Sequence, residues 1–190
     1  MSPRRLYAPV ILGLVVAGGG VFASMTRTWG EAIVRADGLP EDEIVVTGAE
    51  AMPVVSALGV VLLASGLAVL AGSPRVRQVL GGLVAVVAAS CLVWVLVGSG
   101  DAVNGAVQTA VRESASFTGE NAPGDLDISP WRWAAALALA VATLCGAATV
   151  RFAGRWPTMS SRYEAPNARA TTEDDTDMWK AFDDGRDPTE

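Results

Sequence analysis

Residues 52–71, MPVVSALGVVLLASGLAVLA, run for 20 positions without an Asp, Glu, Lys or Arg. A helix rises about 1.5 Å per residue, so this stretch is about 30 Å long, the thickness of a bilayer's hydrocarbon core. Outward from it, three more uncharged blocks occupy residues 6–24, 79–97 and 133–150. An isolated strand in lipid would leave its backbone groups unsatisfied, so helix is the state each block must take. The charges of this 190-residue chain sit between the blocks, whereas a soluble domain would spread its 51% hydrophobic residues at helix or strand periods. The fold class that follows is an all-α membrane protein. It is a four-helix transmembrane bundle over residues 1–154, with connections 25–51 and 99–132 on one side and a flexible acidic tail, 155–190, on the other.

Block one has a second reading. Arg4 and Arg5 precede it, and Val21-Phe22-Ala23 resembles a small-residue signal-peptidase site. Cleavage there would leave three helices; the length of the block favours a retained span.

Orientation is read from the basic residues beside the blocks. Arg4, Arg5, Arg75, Arg77, Arg151, Arg155 and Arg162 gather on one side, against Arg27, Arg35, Arg112 and Arg132 in the two long connections. The positive-inside bias therefore predicts a multi-pass protein of the plasma membrane with both termini cytoplasmic. Trp131, Trp133 and Trp156 flank the fourth block, where indoles favour the interface.

Composition narrows the function. A net charge of −6 argues against a nucleic-acid partner, and a chain with no histidine lacks the usual neutral-pH base and the commonest metal ligand. Cys91 and Cys145 both fall inside apolar blocks, a setting for small packing residues and not for a disulfide. No catalytic, cofactor or metal residues are expected. The only polar residues within the blocks are uncharged, among them Ser56, Ser65, Ser90, Thr143 and Thr149. That speaks against a proton relay and leaves room for a facilitator of a neutral or aromatic solute.

Helices in lipid associate through small residues that let backbones approach. Small residues recur at four-residue spacing as Gly81, Ala85 and Ala89, and as Ala134, Ala138, Ala142 and Gly146. Weaker rows are Gly13 with Ala17, and Ala64 with Ala68 and Gly72. The strips suit an internal bundle, a homo-oligomer or a partner protein, and the sequence leaves the three open. The Gly18-Gly19-Gly20 run would also permit close approach.

Connection 25–51 reads as a small β-hairpin outside the membrane. Glu31-Ala32-Ile33-Val34-Arg35 and Glu43-Ile44-Val45-Val46-Thr47 are rich in β-branched residues and flank the turn formers Ala36-Asp37-Gly38-Leu39-Pro40. Adjacent Glu41, Asp42 and Glu43 are expected to keep the loop hydrated. In connection 99–132, residues 101–114 carry Val103, Ala106, Val107, Ala110 and Val111 at a helical period, suited to lying along the membrane surface or capping the bundle.

The tail is polar, with Glu173, Asp174, Asp175 and Asp177 close together. It cannot bury a core. Within it, Met178, Trp179 and Phe182 would share one face of a helical turn, an aromatic anchor for a protein partner or for the membrane.

In its tail segments Ser161-Arg162-Tyr163-Glu164-Ala165-Pro166 and 177–189, the chain resembles the small tryptophan-operon-associated membrane proteins of actinobacteria. Thr28-Trp29, Thr47-Gly48-Ala49-Glu50 and the four-helix layout support the resemblance. It implies a genomic tie to tryptophan biosynthesis, in a family without an established biochemical activity, and offers no catalytic residues to carry over. The expected function is thus a non-enzymatic accessory component whose tail binds a partner; the alternative is a carrier or exporter subunit for tryptophan or a related solute.

Overall fold

A computed structural model describes residues 6–34, 41–114 and 125–156. Among the described residues four helices are long and apolar enough to span a bilayer: α1 (Tyr7–Met25), α3 (Pro53–Ala71), α4 (Pro74–Glu113) and α5 (Trp131–Phe152). A single turn, α2 (Gly48–Ala51), leads into α3, and a 3-10 turn, Ala153–Arg155, ends α5. Their most apolar windows have mean hydropathies of 1.9 to 2.5. Their outward faces are as apolar as their inward ones: Val97 is 80% exposed, Val79 72% and Leu144 70%. Water would not tolerate such a surface, and lipid is the solvent that matches it.

The helices pack in the order α3, α1, α5, α4, with a lighter contact between α3 and α4 closing the ring. On α1 the buried stripe is Val10, Leu14, Ala17, Gly18 and Val21; on α3 it is Val55, Leu58, Gly59, Leu62, Ser65, Gly66 and Val69. Gly18 and Gly59 let these two backbones meet. A Cβ on Gly18 would lie 2.7 Å from the backbone nitrogen of Leu63 and 2.9 Å from the carbonyl oxygen of Gly59. Gly20 instead faces Ala138 of α5 at 3.3 Å, and Gly19 meets nothing within 4 Å. On α3 it is this stripe that faces inward. Ala64 and Ala68, the expected small-residue row, are exposed.

The third span departs from its expected limits of 79–97. It begins at Pro74 and continues unbroken for 40 residues to Glu113, about 60 Å, or twice the hydrocarbon thickness. Gly98, Gly100 and Gly105 cost this helix about 1 kcal/mol each relative to alanine. One continuous buried stripe offsets that cost. It runs through Arg77, Gly81, Val84, Ala88, Cys91 and Val95, then on through Ser99, Val103, Val107 and Val111. Residues 101–113 therefore neither lie on the membrane nor form a separate cap; they are the last third of α4, and a sheet packs on this part of the helix.

That sheet contains the expected hairpin and extends it by one strand. Strands β1 (Thr28–Val34) and β2 (Asp42–Thr47) pair antiparallel, and a short third strand, β3 (Asp127–Ile128), adds to β1, giving the order β2-β1-β3. Gly30, Ala32 and Val34 oppose Val46, Ile44 and Asp42 and form the inner face, which packs on α4. Gly30 stands where Val103 leaves no room for a side chain. A two-residue strand has no pattern to read; only the approach of residues 127–128 to Gly30 and Glu31 creates it.

Candidate functional site

Three places in this fold concentrate specific contacts. The first is the α4–α5 seam. A Cβ on Gly146 would sit 2.8 Å from the backbone nitrogen of Ala85 and 2.8 Å from the carbonyl oxygen of Gly81; one on Gly81 would meet Thr149 Cβ at 2.8 Å. Gly81, Ala85 and Gly146 are thus brought together, with backbone on backbone. Ala142 is buried in the same core, Ala89 is half-buried, and Ala138 lies against Gly20 of α1. Gly13 of α1 faces Cys145 Sγ, where an added Cβ would lie 2.6 Å away; both Cys91 and Cys145 are free.

The second is at the end of the bundle where α3 stops and α4 starts. Ser73 and Pro74 open α4, which places Arg77 one turn inside it. Its guanidinium, 2% exposed, reaches back over the end of α3: Nε donates to the Val69 carbonyl at 2.8 Å and Nη2 to the Leu70 carbonyl at 3.2 Å. Those carbonyls lie in the last turn of α3, where no helical N–H follows to meet them. Nη2 also donates to Tyr7 Oη at 3.3 Å, and Tyr7 donates in turn to Leu70. Arg77 lies over the Tyr7 ring at 5.1 Å, and that ring meets Trp156 edge-on at 5.2 Å. In the sequence Arg77 reads as one of the basic residues that set orientation and Trp156 as an interfacial indole. The structure buries both and ties α1, α3, α4 and the end of α5 through them. The available signal was Ser73-Pro74, a helix start that puts Arg77 on the first turn.

The third is a clasp at the opposite end. Trp29 is fully buried; its Nε1–H donates to the Ser24 carbonyl at 3.0 Å, and its own carbonyl accepts from the Ser129 N–H at 3.0 Å. Ser24 Oγ donates to the Trp131 carbonyl at 2.7 Å, and the Gly48 N–H donates to the Arg27 carbonyl at 3.1 Å. A Cβ on Gly48 would come within 2.7 Å of the Trp29 ring. Thr47 and Glu50 form a capping box: Thr47 Oγ1 accepts from the Glu50 N–H at 3.3 Å, and Glu50 Oε2 accepts from the Thr47 N–H at 2.7 Å. This sets the chain's entry into α3. Arg27 lies over Trp131 and Arg132 over Trp133, at 5.4 and 5.1 Å, fixing the basic and aromatic residues of this rim.

Four of the hydroxyls within the spans stay local. Ser65, Ser90, Thr143 and Thr149 each donate to a carbonyl three or four residues back on their own helix. Two grooves lie at the sheet end of the bundle, one of about 260 Å³ between β2 and α4 and one of about 70 Å³ beside Trp133. Among the described residues no group of three or more Cys, Asp or Glu is placed to hold a metal. The expected tail anchor, Met178, Trp179 and Phe182, lies outside the described residues.

Four apolar spans, a tightly packed bundle and a small sheet carried on one extended helix define a multi-pass membrane protein with an extramembrane module. The tryptophan-associated transmembrane protein family matches this chain over residues 11–189, nearly its whole length, and the chain belongs to that family. No curated protein matches it.

Proposed function

We propose that the protein is a non-enzymatic membrane component that serves tryptophan biosynthesis as an accessory, binding a protein partner through its C-terminal tail. The observation that carries this reading is the filled bundle. Leu14, Val21, Leu62, Val69, Leu139 and Ala142 are all fully buried, glycines bring the backbones into contact, and the Ser65, Ser90, Thr143 and Thr149 hydroxyls are bonded within their own helices. Such an interior suits a scaffold better than a carrier, which needs a polar route between helices. The family match extends through the tail and takes in Met178, Trp179 and Phe182.

Orientation follows the same reading. Arg75, Arg77, Arg151 and Arg155 mark one end of the bundle, while every Asp and Glu among the described residues falls between Glu31 and Asp127 at the other. The arginine end, with both termini, faces the cytoplasm, and the membrane is the plasma membrane. Helix α1 is retained as a span, since Leu14 and Val21 are buried in the bundle.

The test is purification of the tagged protein from its native membrane in mild detergent, with partners identified by mass spectrometry. The intact chain is expected to retain a defined partner that the Trp179→Ala, Phe182→Ala double variant loses. An unchanged partner profile, or uptake of labelled tryptophan by vesicles carrying the purified protein, would overturn the reading.

A further inference from the structure

Strand β2 is an edge of the three-stranded sheet. Val45 and Val46 are consecutive, so their side chains leave opposite faces; Val46 is 2% exposed on the inner face and Val45 46% exposed on the outer. Both nevertheless line the 260 Å³ groove. A space touched from both faces of a strand runs along the strand's edge, where the backbone groups not used by β1 point. The opposite wall is the outer half of α4, presenting Ala106, Ala110 and Thr109. The two alanines, one turn apart, keep that wall low. Carboxylates complete the lining: Glu50, held by Thr47, and Glu113 at the end of α4. Glu113 lies 16 residues beyond Val97, the last residue of the uncharged block, or about 24 Å along the helix. The groove therefore stands clear of the lipid, within reach of a water-borne partner.

We propose that this groove receives an extended peptide segment of a second protein, laid alongside β2 as a further strand, with Lys or Arg side chains against Glu50 and Glu113. Among the described residues no further strand pairs with the far edge of β2; such an edge is a template for main-chain pairing, and alternate side chains of the guest supply the specificity. Charge selects a basic guest. Connection 25–51 holds six carboxylates, Glu31, Asp37, Glu41, Asp42, Glu43 and Glu50, against Arg27 and Arg35 alone. A small amine would satisfy the carboxylates and leave the strand edge unused; an acyl chain would meet the carboxylates unfavourably.

The test uses the full-length protein in lipid nanodiscs and a fluorescent eight-residue peptide of alternating Lys and Val. Its controls are the same peptide with two central prolines, one with Glu in place of Lys, and free lysine amide as a competitor. Saturable binding is expected, weakened at least ten-fold by the prolines, by Glu in the peptide, and by Glu113→Gln. Ala106→Trp would fill the groove and abolish binding. Thr109→Arg, at an exposed position, tests the same space without loading the packed face of α4, and should weaken binding at least ten-fold. Absence of saturable binding, equal binding of the proline peptide, competition by lysine amide at the peptide's own concentration, or full affinity in the Thr109→Arg protein would each overturn the proposal. None of these variants touches Trp179 or Phe182, so this test and that of the tail fail independently.

Discussion

Gly146 and Gly81 face each other across the α4–α5 seam so closely that a methyl group on Gly146 would stand 2.8 Å from the Gly81 carbonyl oxygen. The obstacle is backbone, which cannot swing aside as a side chain can. Gly146→Ala should therefore push the helices apart and lower stability by about 1–3 kcal/mol. Gly19→Ala, in a space with nothing within 4 Å, should be neutral or stabilising by up to about 1 kcal/mol. Thermal unfolding of both variants in one detergent checks the pair; equal destabilisation would refute the seam.

Arg77 closes the end of α3 by donating to the Val69 and Leu70 carbonyls, and it reaches Tyr7 Oη on α1 as well. Arg77→Met should cost about 2–4 kcal/mol, because the Val69 carbonyl loses its donor in a buried place. Arg77→Lys should fall between the two, since a single ammonium cannot span the acceptors a guanidinium reaches. Tyr7→Phe should cost about 1 kcal/mol. Denaturant titration in micelles ranks the three; a Met variant as stable as the parent would show that the buried guanidinium is dispensable.

Trp29 and Gly48 fit as ring and recess. Gly48→Ala should destabilise the outer module by about 1–3 kcal/mol, and Trp29→Phe by at least the ~1 kcal/mol of its lost bond to the Ser24 carbonyl. Limited proteolysis of nanodisc-embedded protein should show faster cutting in the segments between Thr26 and Ala51 for both variants. Cutting rates matching the parent would mean that the clasp does not hold the module.

The unbroken course of α4 is measurable as a length. Spin labels at Val79 and Arg112, both exposed on the helix, should lie about 50 Å apart along a straight axis. A helix ending near Val97, with its continuation lying on the membrane, would bring them to about 35 Å. Pulsed electron resonance separates the two distances directly.

Much of this fold is legible in the residues, and the misses share a cause. The spans α1, α3 and α5 begin and end within about two residues of their uncharged blocks, because charge is what lipid refuses. α4 outran its block because its outer half is amphipathic, and an amphipathic segment reads alike whether it faces a membrane, a bundle or a sheet. Ser99, Val103, Val107 and Val111 mark the buried face only once the sheet is seen on them. β1 and β2 were visible through their β-branched residues. β3 was not, since two residues carry no period. Of the rows of small residues, the weaker one in α3 turns Ala64 and Ala68 outward, while Gly81 and Ala85 of α4 meet Gly146.

Sequence by itself determined the solvent and the number of spans: an uncharged run long enough to cross lipid must satisfy its backbone internally, and a helix is how one segment does so. Tertiary structure alone decided which glycine touches which backbone, that Arg77 is sealed over the end of α3, and that α4 extends outward to carry a sheet. Those outcomes depend on what neighbouring elements bring to each residue, and a residue's own chemistry cannot say who its neighbour will be.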